Sequence, residues 1–326
     1  MNIEITKSLN HFYKECKELL FTSCKAIEIE VDTADPDWPL NFYREYVSKN
    51  VPVVIKGGCK HFEATQKWDS TYFRSMLGEK DVTVAITPNG YADGLASWRN
   101  PETELDEEIF VLPEERIMKM DEFLNNIQNP KENVICYIQR QNSNLTEDFQ
   151  ELFNDIPLNI GWASKAFNKK PDAVNFWMGD ERAVTSMHKD FYENIYCVID
   201  GHKDFILIPP TDLPCINYKT YKMGQYEDVY QSGFNVKLCR DSNGIQHVPW
   251  IANDPLNEKC NLNSDFQKAN VHRVRVSKGD CLYLPSMWFH HVQQSHGCIA
   301  VNYWYDMDFD VKFCYYKLLE SLSNVK

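Results

Sequence analysis

Thr185-Ser186-Met187-His188-Lys189-Asp190 is the stretch on which the reading of this chain turns, with a counterpart far downstream at Trp288-Phe289-His290-His291. In extended backbone, side chains alternate faces, so His188 and Asp190 point one way and Lys189 the other. An imidazole and a carboxylate converging on one point, joined by a third imidazole, make a set that suits divalent iron and leaves coordination positions open. Without a metal, the same residues are a buried Asp–His ion pair. Alternation in the downstream stretch pairs His290 with Trp288 and His291 with Phe289, so parity alone admits either imidazole as the third ligand.

The surroundings of these stretches are rich in strands. From about residue 173 the pattern predicts strands over 173–178, 184–190, 194–200, 204–208, 234–240, 245–249, 271–276, 281–284, 289–294 and 298–304. Asp200-Gly201 and Asn243-Gly244 are hairpin dipeptides, and Gly279-Asp280 is a further turn. Many short strands at regular spacing predict a sandwich or barrel, and eight strands in two sheets is the jelly-roll plan. Residues 209–233 read as an irregular insert. Residues 309–323 read as a closing helix with Phe309, Phe313, Tyr316 and Leu319 on its apolar face.

Upstream, elements of both kinds are expected to pack around that core. Helices are predicted over 3–25 (Leu9, Phe12, Cys16, Leu19, Leu20), 40–49, 70–77 with a Ser cap, 120–129 and 145–153. Strands are predicted over 27–31, 51–55, 81–87 and 134–139. Residues 88–109, with Pro88, Gly90, Gly94 and a run of acids from Glu102 to Glu108, read as a long surface loop or as a lid for a basic substrate. The expected fold class is mainly β with surrounding α. Its expected division is 1–130 as N-terminal helices and strands packed on the core, 131–308 as the barrel and 309–326 as a C-terminal helix.

Composition narrows the function. With 43% hydrophobic residues the 326-residue chain is globular. A net charge of -13 without a basic cluster argues against nucleic acid as a partner and favours a basic protein or peptide. No signal peptide opens the chain and no apolar run approaches membrane-spanning length. The 11 cysteines, an odd number without a C-x-x-C pair, fit reduced thiols in the cytoplasm or nucleus, with an intersubunit link by one of them left open.

Period-two counting adds residues around the three ligands. The face of His188 continues through Asp190, Tyr192 and Asn194. Lys203 shares parity with Phe205 and Leu207, and an ammonium in phase with a core calls for an anion, unless its stem reaches water at the strand mouth. A dicarboxylate would answer, one end on Lys203 and the other on the metal, with Thr185 and Tyr137 as hydroxyl donors. Ala300, Asn302 and Trp304 share one face and suit a pocket wall.

The combined set Thr185-x-x-His188-x-Asp190, Asn194, Gly201-x-Lys203, Gly279-Asp280, Pro285-x-x-Trp288-x-His290 and Asn302-x-Trp304 resembles the jumonji-C family of iron(II)- and 2-oxoglutarate-dependent oxygenases. The likeness runs from about Trp38 to the C-terminal helix. It implies a double-stranded β-helix of the cupin-like, jelly-roll kind. It implies that His188, Asp190 and His290 hold Fe(II), which leaves His291 as a neighbour, and that O2 is the oxidant. Lys203, Tyr137 and Thr185 would take the distal carboxylate of 2-oxoglutarate, Asn194 and Asn302 would line its pocket, and Trp304 would pack beside the metal. The resemblance further implies (3S)-lysyl hydroxylation of a developmentally regulated, translation-associated GTPase, and homodimers in some members. Asp93, Glu102 and Glu104 are candidates to orient a substrate lysine. Two other enzymatic readings share the metal: a metal-dependent endo- or aminopeptidase acting on methylated histone tails, and an N-methyl-lysine demethylase. A third is a cupin-like binding module without catalysis.

Overall fold

Strand alternation sorts the interior into layers. Along Tyr192–Asp200, Ile195, Cys197 and Ile199 enter one apolar cluster while Tyr196 and Val198 enter another. Along Cys298–Asp306, Ile299, Val301, Tyr303 and Tyr305 join the first cluster and Cys298 and Ala300 the second. Both strands are buried on both faces, which requires a layer on each side. Each large apolar side chain so enclosed contributes roughly 1.5–3 kcal/mol.

The computed structural model describes residues 3–20, 26–229, 231, 233–257 and 265–323. With strands numbered in chain order, the large sheet runs β1 (Ile27–Glu30), β2 (Val53–Lys56), β19 (Cys281–Leu284), β11 (Tyr192–Asp200), β21 (Cys298–Asp306), β9 (Ala173–Gly179), β8 (Ile135–Ile138), β3 (Asp81–Thr87), β7 (Glu114–Lys119). A facing sheet runs β18 (His272–Ser277), β12 (His202–Ile208), β20 (Phe289–Gln294), β10 (Val184–Lys189), β4 (Tyr91–Ala92). The cluster that includes Trp177, Tyr196, Phe205, Leu207, Val274 and Leu284 draws on both sheets and fills the space between them. Helices, among them Ser70–Leu77, Met120–Gln128 and Gly161–Phe167, cover the other face of the large sheet. The helices Ile3–Leu20 and Val311–Ser323 help cover the outer face of the small one. The result is a mixed β-sheet and α-helix domain of cupin-like kind. Among the described residues, no helix is long and apolar enough to cross a membrane.

Several expectations need correction. The stretch read as a long loop, 88–109, instead holds β4, β5 (Gly94–Arg99) and the start of β6 (Asp106–Leu112). No period of two shows in β6, because Asp106, Glu107 and Glu108 stay at or near the surface while the consecutive Ile109, Phe110 and Val111 are all buried. The irregular insert 209–233 contains a 3-10 turn, Pro210–Cys215, and the ten-residue strand β13 (Tyr218–Glu227). That strand pairs with β6, β14 (Asn235–Leu238) and β17 (His247–Ile251) in a third sheet. Lysines at 219 and 222 and Gln225 break its hydrophobic period, so pairing rather than local preference makes the strand. A small hairpin, β15 (Arg240–Asp241) with β16 (Gly244–Ile245), interrupts the predicted strands 234–240 and 245–249.

Among helices, Ala64–Lys67 and Gly161–Phe167 were not foreseen, and both are short. Asp69, not a serine, caps Ser70–Leu77 by accepting from the Tyr72 N–H at 2.7 Å. The helix expected over 40–49 starts at Trp38 and widens into a π turn at Tyr43–Val47. The one expected over 145–153 divides at Phe149 into Asn144–Asp148 and a 3-10 turn. Residues 21–25 of the predicted first helix, and 230 and 232 of the insert, lie outside the described residues.

Gly90 fastens the β4 edge to β10. Its φ is +86°, its carbonyl accepts from Val184 N at 2.9 Å, and an added Cβ would lie 1.9 Å from the Arg182 carbonyl oxygen. A left-handed backbone and a backbone neighbour that cannot yield both favour glycine. Gly90→Ala is therefore expected to cost about 1–3 kcal/mol. Urea denaturation should show a lower midpoint at an unchanged slope; an unchanged midpoint would contradict this packing.

Candidate metal centre

β10 and β20 are antiparallel neighbours in which His188 stands directly opposite His290. A bulge between Thr185 and His188 shifts the register just before the ligand. The two imidazole rings lie 4.1 Å apart between centroids. Asp190 follows the end of β10, and its Oδ2 is 3.7 Å from the Nε2 of each histidine. The ligand atoms of all three lie within 4.8 Å of one another.

The hydrogen bonds behind this triad decide what it can hold. His188 Nδ1 is 2.8 Å from the Ser186 carbonyl oxygen and His290 Nδ1 is 3.1 Å from that of Trp288. A carbonyl only accepts, so each Nδ1 carries a proton, and in the neutral ring Nε2 presents a lone pair. Burial, reinforced by the neighbouring His188, lowers His290 to about 4, so its ring is neutral near pH 7. With neutral rings, two lone pairs and a carboxylate oxygen converge on one point, which suits a cation. Two imidazoles and one carboxylate are the donor set of an iron(II) oxygenase.

Further contacts fix the supports. Asp190 accepts at its carbonyl from Met287 N at 2.8 Å, and Met287 has φ 68° in the turn before β20. The same turn is held by the half-buried Glu193, whose carboxylate accepts from Ser286 Oγ at 2.8 Å and Tyr283 Oη at 2.6 Å. Trp288 Nε1 donates to Asn50 Oδ1 at 2.7 Å. His291 faces away from the triad, with Nε2 3.8 Å from Asp254 Oδ1. Parity had left the two histidines equal; the pairing of β10 with β20 separates them. A cleft of about 1530 Å³, bounded by Tyr13, Tyr218, Trp250 and Glu320 among others, opens onto His188.

Lys203 lies inside the space between the sheets at 1% exposure. Its Nζ donates to Tyr137 Oη at 2.8 Å and to Gln294 Oε1 at 2.6 Å. Both partners are neutral, and no ion pair to Lys203 occurs among the described residues. Asn302 Nδ2 donates to Asn194 Oδ1 at 3.1 Å and its Oδ1 accepts from Trp177 Nε1 at 2.7 Å. Trp304 stacks on Tyr192 with centroids 4.9 Å apart and planes 3° from parallel, and its buried indole N–H has no partner among the described residues. Thr185 is half-buried opposite Val292, and no hydrogen bond joins it to Tyr137 or Lys203 among the described residues. Gln294, Trp177 and Glu193 were given no role by the sequence reading, and Tyr192 only a place on the His188 face. Gln294 pairs with Lys203 across β12 and β20, a register that no single strand reveals.

A cupin-like domain with a two-histidine, one-carboxylate centre defines a class, the non-haem iron oxygenases. Residues 39–311 match the cupin-like domain family. The chain is 42% identical over 289 residues to the bifunctional peptidase and (3S)-lysyl hydroxylase JMJD7 of Homo sapiens, covering 88% of this chain and 87% of that one. It is 35% identical to JmjC domain-containing protein E of Dictyostelium discoideum, over 96% of this chain and 93% of that one. It is 33% identical to the lysine-specific demethylase JMJ32 of Arabidopsis thaliana, over 98% and 92%. The chain belongs to the jumonji-C branch of the cupin-like family and is a 2-oxoglutarate-dependent dioxygenase.

One tight divalent-metal site per chain is expected from the triad. In a Mn(II) titration followed by electron paramagnetic resonance, His188→Ala and Asp190→Ala should each weaken that site more than about 100-fold, beyond the loss typical of supporting residues. Circular dichroism should stay native-like. Tight binding that survives both changes would place the metal elsewhere.

Proposed function

We propose that this protein is an Fe(II)- and 2-oxoglutarate-dependent protein hydroxylase. The reaction is (3S)-hydroxylation of a lysine in a developmentally regulated, translation-associated GTPase. One observation carries the co-substrate: Lys203 is a buried ammonium whose hydrogen-bond partners are neutral, in the space between the two sheets. Desolvating such a charge without a counter-charge is costly, and a dicarboxylate removes the cost.

The eight strands β9–β12 and β18–β21 are read as the double-stranded β-helix. The sheet orders β19-β11-β21-β9 and β18-β12-β20-β10 support this, since consecutive strands alternate between the sheets except at the long insert. Residues 131–308 are taken as that unit, 1–130 as the elements packed on it and 309–326 as the C-terminal helix.

In this reading His188, Asp190 and His290 hold the iron. Lys203, with Tyr137 and Thr185, binds the far carboxylate of 2-oxoglutarate by charge and hydrogen bonding. Asn194 and Asn302 line the pocket and fix each other's amide orientation. Trp304, braced by Tyr192, walls the metal side and excludes water. The bound iron, with 2-oxoglutarate and O2, supplies the oxidising power that converts a C–H bond to C–OH and leaves succinate and carbon dioxide. The protein's share is ligation, orientation and shelter. Hydrolysis has no use for a buried cation that awaits a dicarboxylate, which weighs against the peptidase reading. The human relative's name supports the lysyl substrate. Among the described cysteines none is in a disulfide, which supports a reduced cytoplasmic or nuclear setting, and a homodimer is part of the same reading.

Two measurements test this. Incubation with candidate GTPases should add one oxygen atom to a lysine-containing peptide only when 2-oxoglutarate is present. Cleavage without 2-oxoglutarate, or formaldehyde release from methylated peptides in place of oxygen addition, would refute it. Second, Lys203→Met should raise the KM for 2-oxoglutarate by roughly 10- to 150-fold, the ~1.5–3 kcal/mol of hydrogen bonds to a charged group. Metal affinity should be retained. An unchanged KM would remove Lys203 from the co-substrate site.

A further inference from the structure

An ionised group withdrawn from water is stable only beside a counter-charge or hydrogen-bond donors. Asp93 stands out against that rule. It is half-buried, and its carboxylate has neither a hydrogen bond nor an ion pair among the described residues. Its backbone, by contrast, is tightly fixed. The residue has φ 53°, its carbonyl accepts from Ser186 Oγ at 2.7 Å, and the preceding Ala92 pairs with Thr185. Asp93 is thereby held beside Ser186, two residues before the metal ligand His188. The carboxylate and the His188 ring are close enough to influence each other electrostatically.

The other acids of this region are placed differently. Glu102 and Glu104 are exposed in the turn between β5 and β6. Asp106 meets Arg99, and Glu107 accepts from Lys222 at 2.7 Å and Asn100 at 2.6 Å. Glu108 is exposed and lies against Tyr221. Of these acids, Asp93 combines shelter from water, an unpaired carboxylate and closeness to a metal ligand.

We propose that Asp93 is the substrate-binding residue that receives the ε-ammonium of the lysine to be modified. The proposal rests on the lysyl hydroxylase reading above. In lysine the nitrogen lies four bonds beyond C3, so with C3 presented to the metal the ammonium must be met to one side of the triad. A carboxylate on a fixed backbone beside Ser186, two residues from His188, meets that demand. It selects lysine over an uncharged chain of the same length, because a neutral side chain would leave the carboxylate sheltered and still unpaired.

The test uses the full chain and two small probes, Nα-acetyl-lysine methylamide and its norleucine counterpart, titrated by ligand-observed NMR. The wild type is expected to bind the lysine probe roughly tenfold or more tightly, the scale of a charge-assisted hydrogen bond. Asp93→Asn keeps the shape and tolerates the left-handed backbone, and it should abolish the preference. Asp93→Glu should keep part of it, and Glu102→Gln all of it, which separates an anchor from general acidity. Equal binding of the two probes by the wild type, a comparison that needs no variant, overturns the proposal. So does a preference that survives in folded Asp93→Asn. Oxygen addition to lysine is scored separately by mass. A lysine preference lost in Asp93→Asn, with no oxygen added by the wild type, supports the anchor and sinks the hydroxylase reading.

Discussion

The pairing of β10 with β20 is the constraint on which the rest depends. Ligand atoms must gather within a few ångströms of one another, and strand alternation means that a slip of one residue would turn either imidazole to the opposite face. His188 opposite His290 satisfies the requirement. Much of the surrounding structure reads as protection of that register. The Gly90 carbonyl holds β10 at one edge, and Met287 N ties the turn before β20 to the Asp190 carbonyl. Glu193 and Asn50 hold the same turn from behind. None of these touches the metal position, yet each limits where a ligand can move.

The charges around the centre follow one logic. Water is scarce between the sheets, so an ion there is stable only with a partner. The triad offers lone pairs and a carboxylate without a proton between them. Lys203 offers a cation among neutral partners there, and beside β10 the half-buried Asp93 offers a carboxylate without a partner among the described residues. Missing counter-charges in a folded interior carry information, because folding alone does not favour them. Their signs differ, and so do the ligands they call for.

Legibility along the chain tracked how much of each element is locally encoded. β11 and β21 bury both faces and show as dense apolar runs. β13 does not, because its lysines and Gln225 interrupt the pattern and its partners β6 and β17 are distant in sequence. The acids of the 94–112 hairpin disguised two strands as a loop for the same reason. The cap of Ser70–Leu77 was misread by one residue, since serine and aspartate are both good caps and only the hydrogen bond to Tyr72 distinguishes them.

Some properties were settled by the sequence alone. Spacing sets His188 and Asp190 on one side of a strand, and composition makes the chain globular and acidic. Parity sets Lys203 in phase with core residues, and the joint motif set carries the jumonji-C resemblance. Parity left His290 and His291 equal and only the resemblance favoured His290; the tertiary structure shows His290 facing His188, because facing depends on the register between strands rather than within one. Tertiary structure alone brought Gln294 to Lys203, and it alone separated Asp93 from the exposed acids that follow it. Residue type and period are local properties of a chain, whereas partners, burial and unpaired charge are properties of what lies across the fold.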